Sequence, residues 1–365
     1  MSLPPSGEIP QGAIRFNTDS QRLEFYAQGE WWVMSTDTPN LGQGTDSTPG
    51  ARGLFAGGYS PSPVGYSDTI SYINIASTGN TTDFGTLNNS TIAGGGVGSR
   101  TRALFAGGYI ASGGSPTPNS LAQIDTVVFA STGSASDFGD MASNQFRRGS
   151  AGNATRGLFA GGGTPNTTDP QIDYVTIATT GAGKDFGDLT QTRSRMGGGG
   201  SSTRSIFAGG FTGPSPANVY QNIIDFVTTP TLGNAQDFGD LTRAKSWTAA
   251  CSNATRMIIG GGDTAPGSGA TGVSETEYLT IASGGNALIF GDLNKVVDTG
   301  EYAGSGLASS TRGVFNTGQM KNPVGTYHNT IYYVQISTQG SAVDFGDLSE
   351  PNYGVQTASN GHGGL

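Results

Sequence analysis

The sequence predicts an all-β fold: a six-bladed β-propeller with four-stranded blades, preceded by a small N-terminal β-hairpin module. Three observations predict it. A string led by arginine, x-R-x-[LIV]-F-x-G-G with small changes, begins at Arg52, Arg102, Arg156, Arg204, Arg256 and Arg312, so one unit recurs six times. A second string, D-F-G-[DT]-[LM], follows in each unit at Asp83, Asp137, Asp185, Asp237 and Asp344, with Ile289 in the equivalent place of the fifth. Between them lies a run of β-branched and aromatic residues, such as 172–181 (IDYVTIATTG), which suits a pleated surface. No stretch keeps a helical period, and glycines interrupt every candidate. A repeat of this size made of short strands has the dimensions of a propeller blade.

The spacing assigns four strands to each unit. Strand a is the small-residue run before the arginine (196–201 in the fourth unit), b is the R-G-L-F-A-G-G string, c is the Tyr/Val/Ile/Thr run and d surrounds D-F-G-D-L. The arginine and the second glycine of the pair keep a constant separation, as do the glycine that ends the c run and the D-F-G position. Length varies mainly between b and c, with one insertion at 296–302. In an antiparallel meander the a–b and c–d turns share one face, which is constant, and the b–c and d–a connections share the other, which varies.

The aspartate of D-F-G stands 19 residues before the next arginine in four consecutive units (Asp83 to Arg102, for example), and the same step from Asp344 reaches Gly363. The segment 353–361 (YGVQTASNG) therefore reads as a strand a with no b after it, whereas 40–51 does not resemble the strand a that Arg52 lacks. Pairing the two completes the first blade and covers two open sheet edges. The expected organisation is a hairpin module at 1–36, a linker at 37–51 rich in Pro, Gly, Ser and Thr, and the propeller at 52–365.

Composition narrows the function. With 61 glycines among 365 residues, a hydrophobic fraction of 34% still suits a globular chain. Charged residues are 12% and net charge is -9, leaving too little Lys and Arg for a nucleic-acid partner. No leader with a basic then apolar pattern follows Met1, and no apolar run approaches the ~20 residues of a membrane span, so membrane insertion is not expected. Cys251, the lone cysteine, is expected to pack as a small apolar side chain.

Several strings invite a chemical reading and lose it on inspection. D-F-G occurs five times in register without a kinase ATP loop or catalytic loop, so the Asp is expected to hold a turn and the Phe to fill space between blades. The run 197–200 (GGGG) has no following Gly-Lys-Ser/Thr, so it reads as a narrow strand near the axis and not as a phosphate loop. The six arginines, one per unit, are expected to bond neighbouring turns or the D-F-G-D aspartates. His328 and His362 are the two histidines, and neither has metal-ligand spacing. No cofactor is expected, and no enzyme.

The double glycine ending b, the aromatic in c and the arginine after d resemble the kelch superfamily of galactose-oxidase type; 189–210 (LTQTRSRMGGGGSSTRSIFAGG) carries the likeness most fully. Phe84, Phe138, Phe186, Phe238, Phe290 and Phe345 stand where kelch places a tryptophan. The segment 12–34 (GAIRFNTDSQRLEFYAQGEWWVM) resembles a short module near the N-termini of bacteriophage fibre and other virion proteins. Together the two resemble a structural or fibre protein of a marine phage or cyanophage. The resemblance implies location in the virion, attachment to other virion proteins through Phe16, Phe25, Trp31 and Trp32, and a propeller presented outward to a host-surface glycan or protein. A homo-oligomer is compatible with it. Ile14, Phe16, Leu23, Phe25, Trp31 and Val33 alternate with polar residues as strands do, with turns at 17–21 and 27–30.

Rigid scaffolds carry recognition on loops, so the variable face is where a ligand is expected. Its candidate contacts are Tyr59, Tyr66, Tyr109, Asn119, Phe211, Tyr220, Asn222, Tyr327 and His328, whose rings and amides suit stacking on sugars and hydrogen bonding to them. A purely architectural part of capsid, collar or tail is the alternative, and a carbohydrate-active enzyme a more remote one.

Overall fold

A computed structural model describes residues 9–17, 22–33, 51–60, 65–110, 119–164, 167–213, 219–264, 272–293, 305–316, 318–320 and 326–365. The insertion expected at 296–302 and the linker up to residue 50 lie outside them. The chain divides into two compact units, Met1–Pro49 and Gly50–Leu365. The described residues form strands, turns and bends, with no helix.

The first unit is a three-stranded antiparallel meander of Ile14–Asn17, Arg22–Ala27 and Glu30–Val33. It is thus two hairpins sharing their middle strand, one strand more than a simple hairpin. Gln28 and Gly29 both have positive φ (53° and 84°), the signature of a two-residue turn whose twist matches the strands. This turn sets the parity of the third strand and corrects the sequence reading. Trp32, not Trp31, lies opposite Phe25 and joins Ile14, Phe16 and Leu23 on one face. Trp31 lies opposite Tyr26 on the other face, with ring centroids 5.3 Å apart and the Arg15 guanidinium 4.1 Å from its ring. Arg15 is in turn paired with Glu24 at 2.7 Å, and the bonds that Asn17 and Arg15 donate hold the Glu24 carboxyl below its usual range.

The second unit contains six four-stranded antiparallel sheets among its described residues, in a propeller-like arrangement. Sheet 2, typical of the set, runs Gly95–Gly98 (a), Arg102–Ala106 (b), Gln123–Val128 (c) and Ser136–Asp140 (d). Sheets 3 to 6 begin at Gly149, Gly197, Ala249 and Gly306 and follow the same order. Sheet 1 takes its strand a from the far end of the chain: Gln356–Ser359 pairs with Arg52–Ala56, Ala358 opposite Leu54. The strand before Arg52 is supplied by 356–359, as the 19-residue step implies.

Strand b is buried on both sides because hydrophobic side chains from neighbouring sheets cover it, and so it reads as a nearly continuous apolar run. Six clusters fill the spaces between sheets. Phe84, Leu87 and Ile70 of sheet 1 pack with Phe105 and Phe129 of sheet 2, for example, and Phe345 and Ile331 of sheet 6 with Phe55 and Ile73 of sheet 1. Each fully buried Phe or Ile contributes about 1.5–3 kcal/mol.

The D-F-G string forms a β-bulge. In sheet 3, Asp173 lies opposite Asp185 and Ile172 opposite Gly187, leaving Phe186 as the extra residue. Phe186 turns inward and meets Tyr174 edge to face at 6.0 Å, while Asp185 accepts a hydrogen bond from the Gly187 amide at 3.1 Å. The backbone of each strand d then bonds the c–d connection of the following sheet: Gly181 N to Phe138 O (2.9 Å), Gly233 N to Phe186 O (2.9 Å), and Gly79 N to Phe345 O (2.7 Å) from sheet 6 back to sheet 1. Glycine is required at this seam. Gly187 has φ of 145°, and a Cβ there would lie 2.6 Å from the Gly233 carbonyl.

The repeat arginines tie the same neighbours together. Arg204 donates to the carbonyls of Ile281 and Ala282 (2.9 and 3.0 Å), on the next sheet, while its guanidinium lies 4.9 Å from the Phe226 ring of its own strand c. Arg312 does the same with Ile75 and Ala76 of sheet 1, over Tyr333. Their partners are turn carbonyls and not the D-F-G-D aspartates, because carbonyls at the c–d turn lie in line with the guanidinium fork. Between neighbouring a strands, glycines permit direct approach: a Cβ on Gly96 would lie 2.2 Å from Thr357 O, and one on Gly198 the same distance from Ser150 O.

Replacing Gly187 with alanine forces a side chain into the neighbouring backbone and is expected to cost at least about 2 kcal/mol. Gly284→Ala, where the nearest atom is 3.4 Å away, is expected to be near neutral. Urea unfolding of the two variants against the parent checks this contrast.

Candidate binding face and axial cavity

The a strands of the six sheets leave between them a cavity of about 160 Å³, lined largely by their backbone and small side chains. One end is crossed by the segment 362–365. His362 Nε2 donates to Gly98 O of sheet 2 (2.7 Å), Gly364 N donates to His362 Nδ1 (3.1 Å), Ala154 N of sheet 3 donates to Gly364 O, and Gly363 N donates to Ser252 O of sheet 5. These bonds require the neutral imidazole with its proton on Nε2, and burial holds the His362 pKa below its usual value against the opposing effect of the Gly98 bond. Cys251, buried on strand a of sheet 5, lines the cavity, and burial pushes its thiol pKa up.

At the other end the cavity is lined by residues of the d–a connections, among them Arg147, Arg195 and Trp247. Several b–c loops there carry short two-stranded ribbons, and one of these pairs Tyr59 with Tyr66, their rings 5.3 Å apart. Tyr66 reaches Tyr109 of sheet 2 at 6.0 Å, and Tyr109 meets Phe146 at 4.9 Å. On the opposite side Tyr59 contacts Tyr353, which stacks on Tyr327 of sheet 6 at 5.5 Å and 20°. Four of the expected tyrosines thus come together with Tyr353, from sheets 6, 1 and 2, as one continuous aromatic arc, in which Tyr109 and Tyr353 are buried and Tyr59, Tyr66 and Tyr327 are half-buried.

The remaining expected residues are distributed differently. Phe211 and Tyr220 face one another across the ribbon of sheet 4, and Tyr220 Oη donates to Asp263 at 3.1 Å. Asn222 uses its carbonyl to accept from Leu241 N and stays outside the arc. Asn119 pairs with Ile110 through its backbone, its side chain lying outside the described residues. His328 borders Tyr327; its amide donates to Gly318 O, its carbonyl accepts from Asn352 N, and its Nε2 is buried without a partner among the described residues. No group of three His, Cys, Asp or Glu that could hold a metal occurs among the described residues.

Three residues escaped the sequence reading. Arg147, Arg195 and Trp247 occupy the same repeat position, two residues before strand a, where sheets 1 and 2 have Gly354 and Ala93. All five have positive φ, from 59° to 68°, and their amides form a chain from Gly354 O through Ala93, Arg147 and Arg195 to Trp247. Left-handed backbone favours glycine, as at Gly354, so Ala93, Arg147, Arg195 and Trp247 all hold it at a cost. The connectors that bear them are anchored by buried ion pairs to strand c, Arg148–Asp173 (2.7 Å), Arg193–Asp225 (2.6 Å) and Lys245–Glu277 (2.7 Å). Desolvation lowers the Arg193 pKa, and Asp225 opposes the shift.

In comparisons with known proteins, no family model matches the chain and no curated protein matches it. The kelch-like and virion likenesses rest on the residues quoted above.

The His362 geometry fixes a pH dependence. Its folded pKa is depressed, so as pH falls through about 6.5 the unfolded chain gains a proton that the folded chain resists, and stability falls. Between pH 7.5 and 5 the parent is expected to lose more stability than His362→Gln, as measured by paired denaturant titrations.

Proposed function

We propose that residues 52–365 form a closed six-bladed propeller of kelch-like type, and that the chain is a phage virion structural protein whose variable face binds a host-surface glycan. Closure is supported by the recurrence of one set of contacts from sheet to sheet and again between the sixth and the first, in the inter-sheet clusters, the strand d bonds and the arginine bridges. Strand a of sheet 1, supplied by 356–359, leaves strand b with two partners. The first unit, with Ile14, Phe16 and Trp32 exposed at 63%, 58% and 48%, offers an apolar face suited to attachment to other virion proteins.

The observation that carries recognition is the aromatic arc. Tyr59, Tyr66 and Tyr327 are distant in sequence, yet these partly exposed rings meet, against the buried Tyr109 and Tyr353, on the face whose loops vary in length. Aromatic rings with hydroxyl edges present apolar faces to the carbon side of a sugar and polar edges to its hydroxyls.

A glycan array probed with the full chain is expected to show binding that Tyr66→Ala and Tyr327→Ala reduce by tenfold or more. Silence across the array would leave the architectural role in capsid, collar or tail as the better reading. For closure, removing 353–365 is expected to abolish a cooperative thermal transition that removing 1–36 leaves within a few degrees, as read by calorimetry.

A further inference from the structure

We propose that a second cavity, in sheet 1, is a site for a primary ammonium group on an unbranched carbon chain, the head of a lysine side chain or of a free alkylamine. Such a site goes beyond glycan recognition and is independent of it. Three observations carry it.

The first is a break in the repeat. The strand c residue that faces the fourth residue of strand b is a carboxylate in four sheets: Asp125 opposite Phe105, Asp173 opposite Phe159, Asp225 opposite Phe207 and Glu277 opposite Ile259. In sheets 3, 4 and 5 a cation from the entering connection meets it, as Arg148–Asp173, Arg193–Asp225 and Lys245–Glu277, at 2.6 to 2.7 Å. Sheet 1 has Ser71 in the place of the carboxylate, opposite Phe55. It has Asn352 in the place of Arg193 and Lys245, four residues before strand a. The bonding agrees with the spacing, since Asn352 Nδ2 donates to Gly57 O (2.9 Å) as Arg193 donates to Gly209 O (2.7 Å). Both members of the ion pair are thus replaced by shorter, uncharged side chains.

The second is the space beside them. A cavity of about 70 Å³ lies there, several times what a single water needs. Phe55, Leu348 and Val355 give it an apolar wall, whereas Ser60, Ser71 and Asn352 give it a polar one. Thr69, Ser349 and Glu350, also in the lining, are exposed, so the cavity runs from the core of sheet 1 to residues at the surface. A short methylene chain suits the first wall and an N–H donor the second.

The third is the character of the polar groups. Asn352 Oδ1 is buried without a hydrogen-bond partner, its Nδ2 being committed to Gly57 O. The Glu350 carboxylate has no ion-pair or hydrogen-bond partner among the described residues, and the described lining includes no Lys, Arg or His. An orphaned acceptor, a carboxylate and serine hydroxyls are matched by a group that is positive and donates on several sides. An ammonium, with three N–H donors and no acceptor, meets both requirements. Lys245 supplies that same group from within the chain in sheet 5.

The test follows the thermal midpoint of the full chain by calorimetry during titration with n-propylammonium chloride, at constant ionic strength set by sodium chloride. Potassium chloride and tetramethylammonium chloride, which carry the charge without an N–H, serve as comparisons. A saturable rise with propylammonium alone is expected, since a ligand of the folded state raises the midpoint. Glu350→Gln alters an exposed residue, so its unliganded midpoint is expected to hold while the affinity falls threefold or more. Ser71→Asp/Asn352→Lys rebuilds the ion pair of sheet 5 inside the cavity, and is expected to fold and to lose the response. Should that pair unfold, Glu350→Gln still decides. Absence of saturation, an equal response to potassium or tetramethylammonium, or unchanged affinity in Glu350→Gln would overturn the site. Nα-acetyl-lysine amide separates the two sources: tighter binding than propylammonium supports a protein lysine, and weaker binding supports a free alkylamine.

Discussion

Backbone meeting backbone between neighbouring sheets is the constraint from which the second unit is built. At the outer seam strand d bonds the next c–d connection directly, and Gly187 and its equivalents leave no room for a side chain. At the inner seam Gly96 and Gly198 bring adjacent strands within reach of one another's carbonyls. Both seams trade side-chain burial for proximity, so the hydrophobic core is divided into six slabs between sheets rather than one central mass. The arginines bridge the slabs at one face, each satisfying carbonyls that a turn would otherwise leave open to water.

The opposite face is held by charge. A buried ion pair adds little net stability over an apolar substitute, but removing one partner strands the other, at about 3–5 kcal/mol. Its contribution is therefore registration. Arg193 illustrates this: it reaches Asp225 while donating to Gly209 O and Ile223 O, fixing the connector that enters sheet 4 against strand c. Two residues later the chain presents Arg195 in its left-handed turn. Lys245 and Trp247 repeat the arrangement on sheet 5. Sheet 2 substitutes Asn88 bonded to Asp125, and the residue two before its strand a is Ala93, small and silent.

Much of the architecture was legible because a repeat reports its own boundaries. The strings at Arg52 and Asp83 and their equivalents located strands b and d, and the step from Asp344 to Gly363 located the strand that pairs with Arg52–Ala56. The first unit was less legible, since a one-residue choice of turn decides which tryptophan shares a face with Phe25, and alternation alone does not determine it. Among the candidate contacts, Tyr59, Tyr66, Tyr109 and Tyr327 were found as loop aromatics, and their meeting needed the third dimension. Asn222 resembled them in sequence but serves its own sheet. The ion pairs were hidden because Asp225 and Glu277 look, in a strand, like residues bound for solvent.

In an array of near-identical units, what the units share explains the scaffold, and what they do not share marks where one unit acts differently from another. The position before strand a is left-handed in each sheet where it is described, so its conformation belongs to the scaffold. Its side chain does not: Gly354 and Ala93 lie on the side of the tyrosine arc, whereas Arg147, Arg195 and Trp247 follow in succession on sheets 3, 4 and 5. A repeated framework thereby acquires one side built of tyrosines and another that bears two arginines and a tryptophan. The sheets thus share the backbone of this position and differ in what it carries, so that face, unlike the seams, is not the same from one sheet to the next.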